Sequence, residues 1–198
     1  MVPDTGFNAK FWEWMSESAG VPFPLILSLE QDGDWTFVIK MFGILEAGLN
    51  HLLATHIENP EVAEILSLLD TANDRRGKIA IVKAYGLLSN ESCLFVKLLA
   101  KVRSHAVHKV KHFDLNLAEY IKGDAQNVEG WKAALTSWCK PPIDKQIFAT
   151  AMKHPRKAIH NSVMWIMMQS MMKQALLEQG RIGLQKLIDE HGESTPKE

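Results

Sequence analysis

From Ser92 through Phe113 the chain has no acidic residue, while Lys97, Lys101, Arg103, Lys109 and Lys111 are basic and His105, His108 and His112 can gain charge near neutral pH. The whole chain holds 22 basic and 23 acidic residues, so this is a local cationic strip rather than part of a global field. Charge alone allows two readings: a solvated basic helix face, or a surface that approaches phosphate. Within the strip, Arg103-Ser-His-Ala-Val-His108 is the segment best suited to chemistry. An arginine stays charged and grips phosphate bidentately, and a histidine with a pKa near ~6.5 exchanges protons around neutrality.

The histidines at 105, 108 and 112 also have the spacing of three and then four that can align metal ligands on a helix. No acidic or cysteine ligand lies nearby, His112 falls past the expected helix end, and the basic neighbours repel a cation. Neither a metal nor any other cofactor is expected. Arg156-Lys-Ala-Ile-His160 is a second basic pair, read as the polar start of a helix after Pro155. Met164, Met167, Met168, Met171 and Met172 have the spacing of a core or dimer stripe, where methionine fits uneven partner surfaces.

Helices must position these groups, because 3.6-residue periodicity dominates and strand alternation is almost absent. A short aromatic helix is expected around Asn8 to Ser18. After the Gly20-Val-Pro-Phe-Pro24 break, Asp34 is the N-cap candidate for a long helix with Val38, Met41, Phe42, Leu45, Leu49, Leu52 and Leu53 on one stripe, ended by Asn59-Pro60. Short helices follow over Glu61 to Leu69 and Arg75 to Tyr85, the second closed by Gly86. Ser89 is the N-cap candidate for the helix that carries Arg103 and runs to about Lys109. Asp114 is read as the cap for Leu115 to Lys122, and a further helix runs from about Val128 to the Pro141-Pro142 boundary. A helix from about Ile143 to Met152, a Met-rich helix from Pro155 and a separate amphipathic helix after Gly180 complete the chain.

With 198 residues, 46% hydrophobic and 23% charged, the composition suits one folded domain that needs no metal or disulfide staple. We divide it into an N-terminal helix and loop (1–33), a helical core (34–122), a C-terminal helical extension of the same domain (123–191) and a disordered tail (192–198). Cys93 and Cys139 belong to no paired motif, and the N-terminus lacks the features of a signal peptide. The run from Val163 to Met172 is broken by Gln169 and Ser170, well short of the ~20 apolar residues of a membrane span. A cytoplasmic protein with no membrane partner is expected.

The block Arg75-Arg-Gly-Lys-Ile-Ala-Ile-Val-Lys-Ala-Tyr-Gly-Leu-Leu-Ser89, followed by a helix ending in Arg-x-x-x-x-His, resembles the mannitol-operon-repressor-like branch of the HEPN superfamily. The likeness includes Ile44-Leu-Glu-Ala47 and reaches from about Asp34 to Ile121. It implies an all-α HEPN-like helical bundle that dimerises, and a metal-independent endoribonuclease with Arg103 and His108 facing a cleft between protomers. Under that reading His108 exchanges a proton with the ribose 2′-hydroxyl or the leaving oxygen, and Arg103 stabilises charge growing on the phosphate. The products are a 2′,3′-cyclic phosphate and a 5′-hydroxyl.

Ser104 stands where members of the family often have Asn, Asp or His; it can hydrogen-bond a phosphate, with His105 taking part of that polar role. Lys101, Lys109 and Lys111 are the expected phosphate-binding residues. Glu46, at the acidic position of the family's Leu-Glu-Ala stretch, is either an ion-pair partner that orients Arg103 or a carboxylate at the edge of the apolar stripe. Five helical residues separate Arg103 from His108 by ~140° around the axis and ~7.5 Å along it, so the pair works together only if a second protomer completes the cleft. The implied partners are a second copy, an RNA substrate, and an antitoxin or regulatory protein, as for a toxin or phage-defence component. The alternative is a non-catalytic regulator of the same fold that binds a protein or nucleic acid, although no helix-turn-helix motif supports direct DNA reading.

Overall fold

A computed structural model of the chain describes residues 22–59, 61–108, 114–139 and 143–192. The protein is all-α, and no strand occurs among the described residues. The helices are α1 (Phe23–Ser28), α2 (Asp34–Ile57), α3 (Val62–Leu68), α4 (Lys78–Ala84), α5 (Asn90–His108), α6 (Leu117–Gly123), α7 (Val128–Leu135), α8 (Lys145–Lys153) and α9 (Pro155–Gly192). The expected helix at Asn8 to Ser18, the Pro141-Pro142 boundary and residues 193–198 of the expected tail lie outside the described residues.

Helix α2 is the centre of the bundle. Phe37, Val38, Met41, Phe42, Ile44, Leu45, Leu49, Leu52 and Leu53 are all buried, which is wider than a single stripe. The reason is that α9, α5, α3 and α4 all pack on it. By length and hydropathy α2 could cross a membrane, yet a helix apolar on most sides and enclosed by others is a core helix. Each such side chain contributes roughly 1.5–3 kcal/mol by leaving water. Helix α9 runs alongside α2 in the same direction: Arg156 meets Asp34, Met167 meets Gly48, and Arg181 meets Glu58. A β-carbon at Gly48 would lie 2.2 Å from Met167 Sδ, so the missing side chain lets α9 seat closely. Met167 and Met171 are the buried members of the methionine stripe, and Met172 is exposed.

Helix α5 runs antiparallel to α2. Trp35 Nε1 donates to Ala106 O at 3.0 Å, and Arg103 lies over the Phe42 ring at 5.7 Å. Its expected N-cap is in place, since Ser89 Oγ accepts from the Ser92 amide at 3.1 Å. Gly86 has φ +59°, and the amides of Gly86 and Leu87 donate to Lys83 O and Val82 O, a Schellman closure of α4.

Four details differ from the sequence reading. Asp34 does not cap its own helix: its carboxylate accepts from the Leu117 amide at 2.7 Å and from Arg156 at 2.9 Å, tying α2 to α6 and α9. Arg156 is more than a polar helix start, because it also donates to Leu29 O and Asp32 O and lies over the Phe37 ring. Asn116, two residues after Asp114, caps α6 by accepting from the Glu119 amide at 3.0 Å. Gly180 does not separate two helices, since α9 continues through it to Gly192.

Candidate functional site

The loop between α3 and α4 forms one wall of a cleft, and its conformation follows from side chains that hold their own backbone. Asp70 Oδ1 accepts from the amides of Ala72 and Asn73, at 2.9 and 2.7 Å. Asn73 Oδ1 in turn accepts from the amides of Arg75 and Arg76, at 2.9 and 3.0 Å. These successive Asx turns fold the chain back until the Lys78 amide donates to Asp70 O at 2.9 Å. Gly77 sits inside the fold-back, where a β-carbon would lie 2.2 Å from Asp70 O and under 3.0 Å from two backbone atoms of Asn73. Backbone cannot yield as a side-chain tip does. Gly77→Ala is therefore expected to lower the unfolding free energy by about 1–3 kcal/mol, read as a lower urea midpoint at unchanged m-value.

Across from this loop, α2 contributes Phe42 and Glu46, and α5 contributes Lys97, Ala100, Lys101, Arg103 and Ser104, enclosing 410 Å³ with Asp70, Thr71 and Ala72. Four residues named from sequence thus share one cleft: Arg103, Ser104, Lys101 and Glu46. Glu46 does not pair with Arg103. It accepts from the Thr71 hydroxyl and, at 3.4 Å, from Lys78 Nζ, a lysine only 1% exposed. Arg103 is exposed and rests against the face of Phe42.

The remaining candidates lie elsewhere. His105 is half-buried with its ring 4.9 Å from Tyr120, and His108, exposed at the last residue of α5, does not line the cleft. Lys109, Lys111 and His112 lie outside the described residues. Among the described residues no three His, Cys, Asp or Glu side chains form a set that could hold a metal ion. Cys93 and Cys139 are free thiols, both pushed above the ordinary thiol range by burial.

The cationic strip changes character in three dimensions. Lys97 pairs with Asp74, which also meets Lys83 at 3.3 Å, and Lys101 pairs with Asp124 at 3.0 Å. The hydrogen bond from Lys97 holds the Asp74 carboxyl below its usual range, reinforced by Lys83. The Asn127 amide, Lys101 and the Trp131 indole do the same for Asp124. Carboxylates from other elements thus offset two of the three cations lining the cleft, and Arg103 has no carboxylate against it among the described residues.

A depressed carboxyl stabilises the fold above the unfolded value of about 3.9, and that contribution vanishes as pH falls through the lower folded value. Wild type is therefore expected to be more stable than Asp124→Asn at pH 6, with the difference shrinking toward pH 3 in parallel urea titrations. A difference that stays constant over this range would remove Asp124 from the acid response.

Sequence reasoning missed Lys78, Thr71 and Asp70 as parts of the site. Asp70 and Thr71 carry an ordinary turn signature, and nothing local marks Lys78 as buried. A larger groove of 640 Å³ opens beside Trp138, Ile147 and Ala151, but its Asp144 is committed to capping α8 through the Gln146 amide. Compared with family models, with curated proteins and with solved structures, the chain has no match.

Proposed function

We propose that the protein is a metal-independent endoribonuclease of the HEPN type, in which the Arg103 cleft takes an RNA phosphate and His108 of a second protomer supplies the proton transfer. The supporting observation is that Arg103 and Ser104 are exposed together in a cleft where the other cations already have carboxylate partners. An arginine without a carboxylate against it can fork onto a phosphate at little cost in lost pairing. His108 is solvent-exposed at the end of the same helix, free to reach a neighbouring protomer's cleft rather than its own. Free thiols fit a reducing, cytoplasmic setting. An RNA-cleaving activity there calls for an antitoxin or another regulatory protein, as in a toxin or phage-defence component.

One observation favours a second reading. Because His108 does not line the cleft and the lysines there are neutralised, the site is also suited to a non-catalytic regulator that holds an anionic group of a protein or nucleic acid through Arg103. Incubation with mixed RNA in EDTA separates the two. The nuclease produces fragments ending in 2′,3′-cyclic phosphate; intact RNA at a concentration where the protein is dimeric supports the regulator.

A further inference from the structure

Helix α9 outruns the helix it packs on. At 1.5 Å per residue it is ~57 Å long against ~36 Å for α2. Its last contact with α2 is Arg181 on Glu58, at 2.5 Å. Gln174 also faces α2, meeting His51 at 2.7 Å. The other side of this stretch carries a ridge of residues four apart, Met172, Leu176, Gly180 and Leu184, whose large members are 55%, 65% and 61% exposed.

Two features of the ridge point to what covers it. Gly180, and Gly183 beside it, sit inside a continuous helix with nothing within 4 Å of where a β-carbon would be. Glycine weakens a helix interior, and in the single chain no close packing offsets that weakness. The ridge is also symmetric about Gly180: Leu176 precedes it by four residues and Leu184 follows it by four. A surface that pairs with itself across a two-fold axis needs this symmetry, because each residue i that meets j must also be met by the other chain's j.

We propose that the C-terminal half of α9 pairs antiparallel with the same segment of a second copy of the chain, crossing at Gly180. Leu176 of each copy packs on Leu184 of the other, and the bare backbone at Gly180 lets the axes approach. Ridges of residues four apart interdigitate at an interaxial angle near about −50°, the commonest helix-packing class. The pairing is separate from the proposed catalytic dimer. The Phe42 and Glu46 wall of the cleft lies between the levels at which α9 passes Asp34 and Gly48, well short of Gly180. Some 14 to 18 residues of α9 separate those levels, so each cleft is ~21–27 Å from the crossing, on opposite sides. Pairing through α9 therefore cannot bring two clefts together.

The test uses the full-length chain. Light scattering of the double variant Leu176→Glu/Leu184→Glu is expected to show half the wild-type mass, with helical circular dichroism unchanged because both positions are exposed. In a Cys139→Ser background, mild oxidation of Gly180→Cys is expected to give a covalent dimer, whereas Ile182→Cys, on the opposite side of α9, stays monomeric. A double variant that keeps the wild-type mass, or a Gly180→Cys protein that fails to cross-link, overturns the proposal. A dimer that persists in the double variant while RNA cleavage also persists would refute the α9 pairing and leave the nuclease reading standing.

Discussion

Arg103→Ala and His108→Ala are each expected to abolish most RNA cleavage, by about 10²–10⁴-fold, without loss of folding. Both side chains are exposed, so neither truncation opens a cavity. The same fact makes a sharper test possible. If the working site takes Arg103 from one protomer and His108 from the other, a mixture of the two inactive variants forms heterodimers with one intact site and one doubly defective site. Equal mixing puts roughly half of the dimers in that state, and activity recovers to about a quarter of wild type. A mixture as inactive as its components would place both residues in one protomer's site, which their separation along α5 opposes, or would show that His108 has no part in cleavage.

The fold was legible wherever local chemistry decides it. Ser89, Gly86 and the Asn59-Pro60 break mark helix ends because capping and backbone freedom act within a few residues. The readings at Asp34 and Asp114 failed for a tertiary reason: a carboxylate at a helix start serves equally well as an acceptor for a distant amide or arginine, and Leu117 and Arg156 took Asp34. Gly180 was read as a break because local propensity carries no information about a continuous helix that projects beyond its partner. At the site, the α5 residues Arg103, Ser104 and Lys101 were visible from spacing, and the side of the cleft opposite them was not. Asp74 and Asp124, which neutralise the lysines, come from other segments, so the absence of acidic residues between Ser92 and Phe113 described the sequence and not the surface.

Glu46→Ala is expected to destabilise the protein by about 2–4 kcal/mol, somewhat below the loss for a fully buried pair because Glu46 itself is 39% exposed. The cost arises at Lys78. With 1% exposure, its ammonium cannot regain water when the carboxylate is removed, and the Thr71 hydroxyl loses its acceptor as well. At about 2–4 °C per kcal/mol for a chain of this size, the melting temperature falls by roughly 4–16 °C. Lys78→Met, by contrast, replaces a buried cation with an apolar side chain of similar length and is expected to stay within about 1 kcal/mol of wild type. The double variant Glu46→Ala/Lys78→Met should then recover at least about 1 kcal/mol relative to Glu46→Ala, a coupling measurable in a double-mutant cycle. If Glu46→Ala alone melts with wild type, water reaches Lys78 and the pair does not hold the cleft floor. The cycle also decides what Glu46 does for cleavage. A carboxylate that only keeps Lys78 and the Thr71 loop in place is dispensable once Lys78 is methionine, so the double variant should cleave RNA as wild type does. A carboxylate that acts on the substrate is not replaced by any change at position 78, and activity would stay low in a protein whose stability has been restored.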